Sequence, residues 1–209
     1  MNMKLCYLGH SCFKVESKGY EIVLDPYGAG SVPGLGDLDV EADMCLCSHG
    51  HGDHHGTEGV KLREGSERNP FQIEKVESWH DDQKGELRGS NTIHILHAED
   101  MKVVHMGDVG CVPEEWQLRV LAGADVLLVP VGGYYTAEPD VIRQIVDRIH
   151  PRVTVPMHYR SAKSGFPVLK TLDAWLSFCQ DVIRYETDTL VVDKKTRTQT
   201  AVLLQRMTQ

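Results

Sequence analysis

The sequence predicts an α/β fold in which two mixed sheets pack together with helices outside. Three observations lead there. Short apolar runs that read as strands dominate both ends of the chain, and two amphipathic helical signatures occur in the second half, each after a strand. Four separated strand-like runs also end on a residue able to bind a metal, namely His49, His80, Asp108 and His158. Side chains at strand ends can converge on one point, where open α/β sheets place their sites.

Residues 3–8 and 12–16 alternate enough to be strands, joined by a bend at Gly9-His10-Ser11. Tyr20 to Leu24 is a third strand, closed by Asp25, which Pro26 restricts to extended backbone. Gly28 to Gly36 reads as loop. Residues 42–47 form a short buried strand that delivers the chain to His49, and residues 61–72 show no period and read as irregular. Lys75 to Trp79 is a strand leading to His80, and 81–90 is a polar, glycine-containing excursion. Residues 92–96 and 102–106 make a hairpin that ends at Gly107-Asp108.

In the second half, 113–121 is a short helix and 125–131 a strongly apolar strand. Glu138 to Ile149 is the clearest helix: Val141, Ile142, Ile145, Val146 and Ile149 fall on one face, and Pro139 suits its first turn. The strand 153–157 delivers His158. Residues 168–179 repeat the helical pattern with Leu169, Leu172, Trp175 and Leu176 in register, and strands around 183–185, 190–192 and 200–204 close the chain. No linker and no repeat divides it, so 1–209 reads as one domain.

At 209 residues such a domain buries on the order of 70% of its unfolded surface and needs no disulfide staple. A hydrophobic content of 41% describes a globular chain. The net charge of −8, without clustered Lys and Arg, argues against nucleic-acid binding. Six scattered cysteines with no Cys-x-x-Cys pair read as buried thiols in a reducing compartment. Residues 1–15 are interrupted by Lys4, His10, Ser11 and Lys14 and offer neither a signal-peptide core nor a membrane span, so the cytoplasm is the expected location.

The densest chemistry is Ser48 to Gly56, where nine residues hold four histidines, one aspartate and three glycines. Glycines there let the backbone fold tightly around ligands. His49 and His51 project to one side of an extended segment, while Asp53 and His54 follow a glycine and can turn toward a second ion.

The order His-x-His-x-Asp-His, an isolated His, a Gly-Asp and a late His resembles the metallo-β-lactamase-fold superfamily of metal-dependent hydrolases. Leu8-Gly9-His10-Ser11, Leu24-Asp25-Pro26, His105-Met106-Gly107-Asp108 and Pro130-Val131-Gly132-Gly133 look like the branch containing L-ascorbate 6-phosphate lactonase and N-acyl-phosphatidylethanolamine phospholipase D. The resemblance covers most of the chain and implies a four-layer αββα sandwich. It also implies that His49, His51 and His80 hold one metal, Asp53, His54 and His158 the other, and that Asp108 bridges them.

Two divalent ions suit this donor set, zinc foremost and manganese or iron as alternatives. A hydroxide shared between them would attack, and Asp53 would orient it and pass a proton to the leaving group. Two divalent ions less Asp53, Asp108 and hydroxide leave roughly one positive charge, which favours a small anionic ester, lactone or phosphoester as substrate. His94 and His97 are alternatives to His80, which is preferred because the family's third histidine precedes the hairpin. His55 and His105 read as supports rather than ligands, while His10, Tyr134, Tyr135, Tyr159 and Lys163 are candidates to touch substrate. Gly28 to Gly36 and His80 to Ser90 are the stretches able to wall a pocket. Cys45 and Cys47 read as strand packing and Cys111 has no assigned role. A non-catalytic metal-binding or interaction module on the same fold is the competing function. A flavin-dependent di-iron protein is disfavoured because its relatives carry glutamate where His51 stands.

Overall fold

The computed structural model describes residues 2–65 and 68–206, so positions 66 and 67 of the stretch expected to be irregular lie outside it. Three strands open the chain: β1 (Met3–Gly9), β2 (Cys12–Ser17) and β3 (Tyr20–Leu24). They join β5 (Met44–Leu46) and β13 (Thr189–Val192) in a five-stranded sheet of order β13-β1-β2-β3-β5. A seven-stranded sheet runs β12-β14-β11-β10-β9-β8-β7. Its strands are β7 (Gln72–Trp79), β8 (Ser90–Ala98), β9 (Met101–His105), β10 (Val126–Pro130), β11 (Val153–Met157), β12 (Val182–Arg184) and β14 (Gln199–Val202). The ribbon β4 (Val40–Ala42) with β6 (Val60–Leu62) stands apart, and the helices are α1 (Glu115–Leu121), α2 (Pro139–Ile149) and α3 (Leu172–Leu176).

The central strands are buried on both faces because both are covered. In β10, Val126 and Leu128 enter the core between the sheets with Met3, Leu5, Phe13, Ile22 and Val155, while Leu127 and Val129 face the helices. That alternation follows from the period of two, and it makes β10 a continuous apolar run. Ile142, Ile145 and Ile149 bring α2 onto the outer face beside Leu118, Leu121 and Trp175. Burying each such side chain contributes about 1.5–3 kcal/mol.

The two-sheet architecture is the one the sequence predicts, with a cover that differs on its two sides. All three described α-helices pack on the seven-stranded sheet. The outer face of the five-stranded sheet is covered by Tyr27, Val32, Leu35 and Leu38 of the connecting loop and by Ala42 and Val60 of the ribbon. Glycines and prolines at 28, 30, 33, 34 and 36 keep that loop from becoming a helix.

Several boundaries depart from expectation. Residues 42–47 are not one buried strand: β4 ends at Ala42, and β5 is half-buried at the sheet edge. The stretch 61–72 contains the end of β6, and β7 starts at Gln72. The helix expected over 168–179 is cut to 172–176. Lys170 donates its N–H to Gly132 O at 2.8 Å and accepts from Arg160 N at 3.0 Å, so the chain before Thr171 is held extended rather than coiled. After Trp175 the hydrogen bonds Phe178 N to Trp175 O and Cys179 N to Leu176 O tighten the last turn.

Candidate metal centre

Five strand ends deliver the site. β1 passes to His10, β3 to Asp25, β7 to His80, β9 through Gly107 to Asp108, and β11 to His158. His10, Asp25 and His158 all have left-handed backbone, with φ of 53°, 47° and 52°. Such residues cost about 1–3 kcal/mol each unless their surroundings hold them, a strain typical of working sites. For Asp25 this overturns the extended backbone expected before Pro26. Its buried carboxylate accepts Ser48 N–H and Ser48 Oγ–H at 2.6 Å each, which fixes the turn. Gly107 has φ of 56°, and a side chain there would run into Asn91 Oδ1 and Ser48.

The ligand loop is a turn rather than an extended segment, since His54 N–H bonds to His51 O at 2.9 Å. Even so, His49 and His51 lie together, their ring centroids 4.7 Å apart, and His80 stands 4.6 Å from His49 and 5.0 Å from His51. One potential ligand atom from each of these three lies within 4.8 Å of the others. A second such group is His10, Asp53, His54 and His158, and a third is His49, His54 and Asp108. Asp108 Oδ2 sits among them, 3.2 Å from His54 Nε2, 3.3 Å from His80 Nε2 and 3.1 Å from His158 Nε2.

All seven residues picked out as ligands are therefore gathered in one place. His94 and His97 stay on β8: His94 is buried opposite His105, and His97 Nε2 lies 3.5 Å from Glu74. His55 is exposed and belongs to none of the three groups. His105 braces the site, with Nε2 donating to Ser11 O at 2.9 Å and Nδ1 accepting Gly107 N–H at 3.1 Å. Tyr159 is buried away from the cluster's cavity; its hydroxyl bonds Tyr7, whose own hydroxyl donates to His10 O at 2.9 Å. Its reach to the site is thus through Tyr7 and the His10 carbonyl.

A cation fits this donor set. His49 Nε2, His54 Nε2, His158 Nε2 and Asp108 Oδ1 are buried without a hydrogen-bond partner among the described residues. Each such orphan costs about 1–3 kcal/mol, and lone pairs aimed at one volume are what a metal ion satisfies. Electrostatics agree. Burial alone would lower His54, yet the Asp108 and Asp25 carboxylates override it and hold it well above the ordinary histidine range. The field that favours a proton at Nε2 favours a cation there equally. Burial and then His54 push His49 down to about 3, and burial and then His158 push His10 down to about 4.

Residues beyond the seven ligands support them: Asp25, at the strand end expected from the sequence, and Asn91, which no sequence signal marks. Asp25 Oδ2 also takes His54 Nδ1 at 2.8 Å, which leaves Nε2 facing Asp108. Asn91 Oδ1 accepts Asp108 N–H at 2.8 Å while its amide donates to Ser78 Oγ and Met106 O. Asp81, next to His80 in sequence, is occupied by the backbone N–H groups of Gln83, Gly85, Leu87 and Arg88.

Over the cluster opens a cavity of about 270 Å³ lined by His51, Asp53, His80, Arg88, Asp108, Tyr135 and Phe166. The stretch 80–90 walls it as expected, through Arg88. The stretch 28–36 does not line it. It lies under the ligand loop instead, with Gly28 N–H on Gly52 O at 2.8 Å and Pro33 O accepting Gly165 N–H at 2.9 Å.

Residues 4–158 match the family described as Beta-lactamase superfamily domain. A UPF0173 protein of Pyrococcus abyssi is 30% identical, over 78% of this chain and 86% of its own. A UPF0173 metal-dependent hydrolase of Methanopyrus kandleri is 28% identical, over 75% and 84%. A crystal structure of a metallo-beta-lactamase superfamily protein from Thermotoga maritima is 30% identical and superposes with a TM-score of 0.73, covering 96% of this chain and 98% of that one.

Proposed function

The chain belongs to the beta-lactamase superfamily, and from that membership we propose that it is a metal-dependent hydrolase with a binuclear centre, acting on a small anionic ester, lactone or phosphoester. The observation that carries this reading is the position of Asp108 Oδ2, within 3.1–3.3 Å of three imidazole Nε2 atoms drawn from two separate ligand groups. His49, His51 and His80 would hold one ion, Asp53, His54 and His158 the other, and Asp108 would lie between. Zinc suits three imidazoles with a carboxylate, with manganese or iron as alternatives, and the Thermotoga neighbour is described as Zn-dependent. Bound there, the ions would supply Lewis acidity and lower the pKa of water to about 7.

The chain's own groups handle orientation and the proton. Asp53 faces the cavity, and although burial works against its charge, His10 and His54 keep its carboxyl below the usual range. His10 is neutral near pH 7, so its Nε2–H donates to Asp53 Oδ2 at 3.1 Å. Oδ1 of Asp53 is then the atom free to take a proton from the attacking water and return it to the leaving group. Tyr135 and Phe166, 5.6 Å apart edge to face, form an apolar wall that limits water around the reacting centre.

Elemental analysis of protein purified without added metal, followed by an ester, lactone, phosphomonoester and phosphodiester panel, tests the reading. About two ions per chain together with turnover is the expected result. Metal without turnover on the panel after reconstitution with zinc, manganese or iron favours a non-catalytic metal-binding module. A stoichiometry of one with full activity removes the binuclear centre.

A further inference from the structure

A second cavity, a side chamber of about 320 Å³, shares His80, Arg88 and Tyr135 with the cavity over the cluster, and its lining also includes Val112, Ala137 and Val141. Arg88 thus lines both spaces. One of its guanidinium N–H groups donates to Tyr134 O at 3.1 Å, and its cation lies 5.9 Å from the centre of the Tyr135 ring. No carboxylate pairs with it among the described residues, in a chain carrying net charge −8. Every acidic residue lining the side chamber is already engaged. Asp81 takes four backbone N–H groups, Asp82 takes Gln83 Nε2 at 3.0 Å, and Glu138 takes Lys170 Nζ and Tyr134 N–H.

A half-buried guanidinium has five donors in a planar fork, and one hydrogen bond leaves most of that fork for the two cavities it lines. The loop that carries it is held by Asp81, which accepts the N–H groups of both Leu87 and Arg88 at 3.0 Å and 2.7 Å. We propose that Arg88 is the receptor for a substrate oxyanion, a carboxylate or phosphate separate from the bond that is broken, with the body of the substrate lying in the side chamber. This rests on the hydrolase reading for the identity of the bound molecule as substrate, and it specifies where that substrate keeps its charge. Val112, Ala137, Val141 and the tyrosine rings give the rest of the molecule an apolar strip within a mixed lining, while the fork selects a planar or tetrahedral oxyanion by paired hydrogen bonds.

Calorimetric titration of the full chain as isolated, with benzoate, phenylphosphonate and the neutral control benzyl alcohol, tests the proposal. The expected result is binding of at least one of the two anions and a loss of about tenfold or more in affinity for it in Arg88→Ala and Arg88→Gln, with Arg88→Lys intermediate. Arg88→Gln keeps a polar but uncharged side chain, so an unchanged melting temperature separates lost charge from lost fold. Which anion responds more distinguishes a carboxylate from a phosphate. No binding to the wild type at millimolar concentration overturns the proposal, as does binding that survives both neutral substitutions. Binding abolished by chelator yet untouched by Arg88→Gln overturns it too, by placing the anion on the metals. Arg88-dependent binding in a protein that turns over nothing on the panel would remove the hydrolase reading alone. Turnover of anionic and neutral esters indifferent to Arg88 would remove this proposal alone.

Discussion

Asp25 lies directly behind His54, its Oδ2 2.8 Å from His54 Nδ1, and the two side chains are wholly buried. The same carboxylate accepts the N–H and hydroxyl of Ser48, the residue before His49. One buried anion therefore sets the ring orientation of His54 and the path of the backbone into the ligand loop. Asp25→Ala leaves three donors without a partner. It should lower stability by about 3–5 kcal/mol and metal affinity by about 10–100-fold. Denaturant melts and competition with a chelator would measure both, and an unchanged metal affinity in a folded variant would make Asp25 purely structural.

Asn91 does for Asp108 what Asp25 does for His54. It is fully buried and holds the Asp108 N–H while its own amide is satisfied by Ser78 and Met106. Asn91→Ala should cost about 1–3 kcal/mol for the orphaned groups and weaken retention of metal. Asn91→Asp keeps an acceptor toward Asp108 N–H but loses both donors, to Ser78 Oγ and Met106 O, so it should fall between wild type and Asn91→Ala in chelator resistance. Equal chelator resistance in all three would show that Asp108 is held without Asn91.

What the sequence made legible follows from what its signals are. Strand ends were readable because apolar runs stop abruptly at polar residues, and β3, β9 and β11 lead to Asp25, Asp108 and His158 as expected. Ligand type was readable because imidazoles and carboxylates crowd residues 49–54. The support layer was not. Asn91 acts through folding that brings it beside Ser78, Met106 and Asp108, 13 and more positions away, and it carries no local pattern. Helix α3 misled for a related reason: Leu169, Leu172 and Trp175 keep a helical period, but backbone bonds to Gly132 and Arg160 outweigh it before Thr171. A sidedness in the cover was hidden too, since the apolar residues of 27–38 are too interspersed with glycine and proline to show a period.

Asp53 and His10 should separate catalysis from metal retention. Asp53→Ala removes the proton-carrying carboxylate at the cavity and should lower kcat by about 10²–10⁴-fold, while the His49, His51 and His80 site keeps its ion. His10→Gln preserves a donor toward Asp53 Oδ2 and should retain most activity, whereas His10→Ala frees the carboxylate and should lower kcat more than it raises KM. Steady-state kinetics with parallel metal analysis reads both. Activity and metal content falling in proportion in Asp53→Ala would reduce Asp53 to a ligand.

His94 gives the fold its own pH dependence away from the proposed ligands. It faces the core between the sheets on the side of β8 that carries Leu96, it is buried, and its Nδ1 has no hydrogen-bond partner among the described residues. Burial pushes its pKa down to about 4, against an attraction to Asp25. Below about 6.5 the unfolded chain takes up a proton on this ring that the folded chain refuses. The contribution is therefore complete above pH 6.5 and is lost as pH falls toward 4, by roughly 3 kcal/mol over that interval. His94→Leu keeps the site apolar and removes the titration, so its stability should fall less steeply between pH 7 and pH 4 than that of the wild type. Urea melts at half-unit steps of pH measure the two slopes, and parallel slopes would mean that His94 is already protonated in the folded chain or reaches water.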